Sequence, residues 1–444
     1  MIVMKVGGSS VADAERFRHV GGIVRDQLNR TPVLVLSAMG DTTDHLLDAA
    51  EGALRSGAVS IKKIEDLHIK TIRDLKLEPS ILDEIKPLLE ELQKLLTGIS
   101  LIKELTGRTK DYLVSFGERL SVRIAAAYFR SLRVKALALD AWDAGILSDA
   151  NFTAADLLPE CWDRIPGIIA PLAAGGTIPV ITGFIAKDEK GNITTLGRGG
   201  SDLSAAIIAA ACRAEEVQIW KDVDGILTAD PRLVETARPV EEIPDEEAVE
   251  LAYSGAPGLH PRAMRPCMKT GTPVLGHHSY NPQARGTRIA ASREKKAGPV
   301  RAITSRKNIT LVDIVSTRMV GQYGFLAEVF SCIAKYGISV DMVATSEVSV
   351  SLTLDAVHDL GGLKKDLARI ASVEIKTGKA IVTIVGDVRR SSEILSRAFG
   401  VCVALGVPVQ MVSQVASKVN ISFIVNDIQA AEVVTALHIT FFED

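Results

Sequence analysis

A chain of 444 residues exceeds what one hydrophobic core organises, so two or three domains are expected, and 47% hydrophobic with 24% charged residues excludes wholesale disorder. A formal net charge of -3 leaves no electrostatic footprint for nucleic acid or an anionic membrane and points to small molecules as partners. Cys161, Cys212, Cys267, Cys332 and Cys402 stand apart without a CxxC pair, and no signal peptide or membrane span is visible. Reduced thiols in a cytoplasmic compartment are expected, or in a plastid if a transit segment has been removed.

In chain order, short β-branched runs at Ile2–Val6, Val33–Ser37, Pro179–Ile185, Val217–Lys221 and Thr272–Gly276 alternate with longer helix-patterned stretches. This predicts one large α/β domain with a central, mostly parallel sheet. The first strand closes on Lys5-Val6-Gly7-Gly8-Ser9-Ser10, which is expected to open a helix, so that backbone N–H groups and the Lys5 ammonium face anionic oxygens. The GxxxxGK[ST] pattern is absent here, and an ordinary βα turn is the alternative. Between Ser80 and Lys103 an apolar stripe from Ile81 to Leu96 recurs at helical spacing across Pro87, the face of a packed helical subdomain.

Ser115–Ser121 is placed where a loop becomes the apolar helix Val122–Phe129, and Glu118 there reads as a simple capping charge at a helix start. A second glycine loop, Leu196–Asp202, precedes the alanine-rich stretch Leu203–Ala211; Arg198 within it suits a carboxylate, because a guanidinium fork binds two oxygens at once. Trp220–Arg232 follows a strand, carries the turn signals Asp224-Gly225 and Asp230-Pro231, and is dense with charge, as are ligand loops at the ends of parallel strands. Ser292–Asn308, rich in Arg and Lys, reads as a solvated linker.

Beyond it the chain repeats at a constant offset of 69 residues: Leu326 matches Leu395, Phe330 matches Phe399, Gly337 matches Gly406, and Val340-Asp341-Met342-Val343 matches Val409-Gln410-Met411-Val412. Each copy reads as most of a ferredoxin-like βαββαβ module. The second copy ends on the helix Ile428–Phe442 without a final strand, and Val300–Thr304 is expected to supply it.

KVGGSS, SAMGDTTD (37–44), FGERLS (116–121), TGFIA (182–186), LGRGGSD (196–202) and WKDVDGILTADPR together resemble the ordered motif set of aspartate kinases, and the tail is similar to the paired ACT modules of lysine-responsive members. The resemblance implies an amino-acid kinase domain over 1–295 and a regulatory region over 296–444, with ACT modules at about 306–377 and 378–444. It implies transfer of the γ-phosphoryl group of MgATP to the β-carboxylate of L-aspartate, with no prosthetic group and no resident metal site, and inhibition by L-lysine. In that reading Lys5 and Asp202 are catalytic, while Ser37, Thr43, Glu118, Arg198 and Ser201 hold aspartate. Lys5, Gly7, Gly8, Ser9, Lys221, Asp222, Leu227 and Arg232 form the ATP side. Met319, Gly324, Leu326, Asp341, Ser346 and Glu347 match positions that bind the inhibitor, although Asp341 and Glu347 also read as exposed strand-end charges. Paired ACT modules imply a homodimer or homotetramer. One departure is Pro257, in Gly255–Pro261, where many members carry a lysine near the nucleotide phosphates. The competing reading is a non-catalytic amino-acid sensor with a degenerate kinase domain.

Overall fold

A computed structural model of the chain describes residues 1–255, 261–291, 298–316, 323–354, 359–414 and 420–443. Pro257 and Met319 lie outside the described residues. Two compact units emerge: Met1–Ile226 with Glu241–Asp245 and Gly258–Ser292, and Leu227–Val240 with Glu246–Pro257 and Arg293–Asp444.

The chain runs β1 (Ile2–Val6), α1 (Ala14–Asp26), β2 (Pro32–Leu36), α2 (Thr42–Ser56), α3 (Lys62–Asp74), α4 (Ile81–Ile102), α5 (Gly107–Ser131), β3 (Ala136–Leu139) and α6 (Cys161–Ala174). It continues through β4 (Ile178–Thr182), β5 (Ile185–Lys187), β6 (Ile193–Thr195), α7 (Gly200–Ala211), β7 (Val217–Lys221), β8 (Glu242–Pro244), α8 (Asp245–Tyr253), α9 (Pro261–Thr270), β9 (Val274–His278) and β10 (Thr287–Ala290). The eight-stranded sheet has the order β3-β4-β2-β1-β7-β9-β10-β8, and all its pairings are parallel except β9 with β10. All five residues of β1 are buried between β2 and β7, which is why this strand is a continuous apolar run broken only by Lys5. Helix α4 buries Ile81, Ile85, Leu88, Leu89, Leu92, Leu96 and Ile99 in the main core, as the stripe predicts, with Pro87 accommodated inside it.

Two local expectations need correction. The turn after β1 opens only a short 3-10 turn, Ser9–Val11, and α1 begins later, with the Asp13 carboxylate accepting from Arg16 N–H. The N-terminus of α1 therefore starts at its own acidic cap and not at the glycine turn. SFGERLS lies mid-way along the 25-residue α5, not at a loop-to-helix junction. The reason is packing: Gly117 sits where an added Cβ would stand 2.6 Å from Ala38 Cβ, so the glycine marks close approach and not a helix break.

In the second unit β11 (Val300–Val315), α10 (Phe325–Ala334), β12 (Val340–Thr345), β13 (Ser349–Leu354), α11 (Leu360–Leu367), β14 (Ser372–Gly386), α12 (Ser391–Ala404), β15 (Met411–Gln414), β16 (Asn420–Asn426) and α13 (Ala430–Phe442) build one six-stranded antiparallel sheet, β12-β13-β11-β14-β16-β15. Val300–Thr304 is a strand, as expected, but the strand does not stop there: Ser305–Asn308, expected as linker, continues it as part of β11, in which Val300 and Ile303 bury in the core shared with α13 and the strand pairs with β14. Ala302, Ile303 and Thr304 pair with Val385, Ile384 and Thr383, so the two long strands β11 and β14 each serve both repeats. Separate cores form under the helices of each repeat, and Ile309, Leu311, Met342, Ile381, Met411 and Ile424 make a third cluster on the opposite face. Among the described residues no helix is long and apolar enough to cross a membrane.

Candidate functional site

The C-terminal ends of β1 and β7 and the N-terminus of α7 converge on a cavity of ≈ 510 Å³. Its wall brings together six of the residues singled out in the sequence: Lys5, Thr43, Arg198, Ser201, Asp202 and Lys221. Asp202, 3% exposed, stands in the first turn of α7 between two ammonium groups, with Lys5 Nζ 2.9 Å from Oδ1 and Lys221 Nζ 2.7 Å from Oδ2. Burial works to raise the Asp202 carboxyl, but the two lysines outweigh it and hold it below the usual carboxylate range. Burial lowers the pKa of Lys5, aided by Lys221 and opposed by Asp202 and Glu118. Three ionisable groups thus sit in a poorly hydrated corner with a net positive charge, as a site for polyanionic phosphate requires.

Helix α7 starts on Gly199, which takes φ 74. The first intrahelical bond runs from Leu203 N–H to Gly199 C=O, so the Ser201 and Asp202 amides precede it at the positive end of the helix dipole. The exposed Arg198 stands beside this turn at the cavity wall. In the β1 turn, by contrast, the Gly7 N–H is committed to Trp220 C=O at 3.1 Å, and Gly8 C=O accepts from Gly40 N–H. Gly8 is required by closeness, since a Cβ would come 2.6 Å from Ala38 C=O.

Glu118 is 4% exposed; its Oε1 accepts the Ala38 N–H at 3.2 Å, and its Oε2 has no hydrogen-bond partner. Burial pushes its carboxyl up to about 8, against the Ala38 amide and the Lys5 charge, which pull it down. A buried carboxylate with an open oxygen is suited to receive an ammonium group. Ser37 follows β2, where its N–H bonds to Val6 C=O. Asp222 is exposed just beyond β7. Leu227 and Arg232 belong to the second unit; Arg232 is exposed and bonded to Asp230 through Nε and Nη2.

Sequence reading missed Asp111, which also lines the cavity. It precedes Glu118 by two helical turns on the same face of α5, a relation hidden as long as the helix is taken to begin at Val122. In the second unit, Gly324 (φ 90) and Leu326 stand at the start of α10. Asp341 on β12 is ion-paired with Arg306, and Ser346 closes the β12–β13 turn beside the exposed Glu347 by bonding to Ser349.

The packing of α5 makes one prediction. Glycine to alanine normally stabilises a helix interior by about 1 kcal/mol. Gly117→Ala is instead expected to destabilise by roughly 1–3 kcal/mol, because its Cβ would overlap Ala38 Cβ at 2.6 Å. Ala38→Gly in the same chain should recover part of the loss, read as the shift in urea midpoint at unchanged slope.

Comparison with known proteins yields two family models: one described as amino acid kinase family over residues 1–275, and one described as ACT domain over 312–358 and 382–441. Aspartokinase 1, chloroplastic, of Arabidopsis thaliana is 47% identical over 99% of this chain and 80% of its own length. Among solved structures, E. coli aspartokinase III in complex with aspartate and ADP (R-state) superposes with a TM-score of 0.85 at 33% identity, covering 100% of both chains. The same E. coli protein in complex with lysine and aspartate (T-state) gives 0.78 at 33% identity, covering 100% of this chain and 99% of that one.

Proposed function

Since the chain belongs to the aspartokinases, amino acid kinases of amino-acid biosynthesis that carry ACT domains and are allosterically regulated, we propose that its cavity transfers the γ-phosphoryl group of MgATP to the β-carboxylate of L-aspartate, giving 4-phospho-L-aspartate. The observation that carries this reading is the clasp of Asp202 by Lys5 and Lys221 in one cavity with Arg198, together with a buried Glu118 that has a free oxygen and feels the charge of Lys5. Arg198 grips the α-carboxylate, Glu118 pairs with the ammonium, and Ser37, Thr43 and Ser201 complete the aspartate side. The β-carboxylate, with a reference pKa of ~3.9, is already an anion at neutral pH and needs no general base. Asp202 therefore orients the two lysines. The barrier to be lowered is the approach of two anions; Lys5, Lys221 and the α7 amides neutralise the phosphoryl oxygens in an in-line arrangement. Gly7, Gly8, Ser9, Asp222, Leu227 and Arg232 are assigned to the nucleotide side.

The domain limits proposed are 1–295 for the catalytic domain and 296–444 for the regulatory region, with ACT modules at about 306–377 and 378–444 and the strand 300–304 completing the second. L-lysine is the proposed inhibitor, held near Gly324, Leu326, Asp341, Ser346 and Glu347, with Met319 assigned to the same site from sequence. Inhibition requires that lysine bind an inactive arrangement better than the active one. Assembly into a homodimer or homotetramer through the ACT modules is part of the same reading, supported by exposed Leu326, Phe330 and Val343 on α10 and β12.

ADP release with MgATP is the test. Turnover is expected with L-aspartate, not with N-acetylaspartate, whose blocked amine cannot meet Glu118, and millimolar L-lysine should suppress it. Saturable lysine binding without turnover would replace this reading by the amino-acid sensor.

A further inference from the structure

Asp111 is 1% exposed and makes three hydrogen bonds, all to residues of the cavity wall. Its Oδ2 accepts the Thr153 N–H at 2.8 Å and the Thr195 N–H at 2.9 Å, and its Oδ1 accepts the Thr195 hydroxyl at 2.8 Å. Burial raises its carboxyl, and these three donors offset part of that cost.

Thr153 takes φ 73, a conformation that a β-branched residue adopts only under constraint. Its carbonyl packs against Gly197, where an added Cβ would stand 3.2 Å from it, and Gly197 precedes Arg198. Thr195 ends β6, and its C=O accepts the Ala155 N–H at 2.9 Å, so β6 and the loop around Thr153 are joined twice, once directly and once through Asp111. Strain of this kind persists only where surrounding bonds over-determine it; here the Asp111 carboxylate supplies the bond to Thr153 N–H itself, while the neighbouring Ala155 is held directly by Thr195.

We infer that Asp111 is a positioning residue for the acceptor substrate: by holding Thr153 and Thr195 in the wall, it fixes the approach to the Arg198 loop and hence the placement of the substrate α-carboxylate. This rests on the aspartate-site reading given above. Asp111 itself touches no reacting atom in this scheme. Its loss should act on aspartate binding and leave the nucleotide side, built on β1 and β7, unaffected.

The test is steady-state kinetics of the full chain, varying L-aspartate and MgATP separately. Asp111→Ala is expected to raise the aspartate KM about tenfold or more, with kcat and the MgATP KM within about threefold of the parent. Asp111→Asn keeps one oxygen for both amides and should return the aspartate KM to within about threefold. Thr153→Gly added to Asp111→Ala should recover part of the rise, because glycine takes positive φ without help. If Asp111→Ala does not fold, Thr195→Val removes one of the three bonds at nearly constant volume and should raise the aspartate KM about threefold. An unchanged aspartate KM in Asp111→Ala, or in Thr195→Val where the alanine variant is insoluble, overturns the inference. So does an equal rise in both KM values. Arg198→Ala separates this failure from that of its foundation: if it leaves the aspartate KM unchanged, the aspartate-site reading itself is wrong.

Discussion

Lys5→Ala is expected to lower kcat by about 10²–10³-fold while raising the MgATP KM far less, the size of loss that follows removal of one preorganised charge from a water-poor site. Lys5 is 5% exposed and stands 2.9 Å from Asp202, whose other oxygen keeps Lys221 at 2.7 Å. Asp202 is therefore not stranded when Lys5 is removed, and a folded enzyme with an incomplete cationic corner should result. A group that meets the phosphoryl oxygens mainly as charge develops affects kcat, whereas one that binds ground state and transition state alike affects only KM. Equal kcat with a raised MgATP KM would assign Lys5 to simple nucleotide binding.

Glu118→Gln should raise the aspartate KM by roughly 10²-fold, the cost of removing one partner from a buried charge pair. The environment of Glu118 adds a pH signature. With its carboxyl at about 8, the free enzyme is mostly protonated at this position at neutral pH, and the proton must leave before the ammonium of aspartate can pair. The logarithm of kcat/KM for aspartate should thus climb with unit slope up to about pH 8 and level off above, and the climb should vanish in Glu118→Gln.

Stability runs the other way. The folded pKa lies above the ordinary value of 4.5, so between pH 4.5 and about 8 the unfolded chain binds fewer protons than the folded one. Stability then falls with rising pH by roughly 1.4 kcal/mol per unit across that window. Glu118→Gln should be free of this slope, and be more stable than the parent at pH 8 while binding aspartate worse, a trade of stability for function. Denaturant titrations of both proteins at pH 6 and pH 8 check the sign.

Much of this was legible in the sequence because it is local. The alternation of β-branched runs with helix-period stretches announces the parallel sheet, glycines after strands announce the β1 and α7 turns, and a 69-residue offset announces the paired modules. Lys5, Arg198 and Asp202 were readable for the same reason: each sits in a glycine loop beside a strand end or helix start, and neighbours in the chain define that setting. The start of α5 was not readable, since Gly117 and Ser115 imitate a break that close packing against Ala38 explains.

Composition, spacing and motif thus specify the fold class, the order of the domains and the type of chemistry. Folding alone determines that Asp202 joins lysines from two strands, that Glu118 meets an amide 80 residues away and loses its water, and that Asp111 holds Thr195, 84 residues on. Secondary structure depends on periods a few residues long, whereas protonation and strain depend on which distant groups converge and on how completely they exclude solvent.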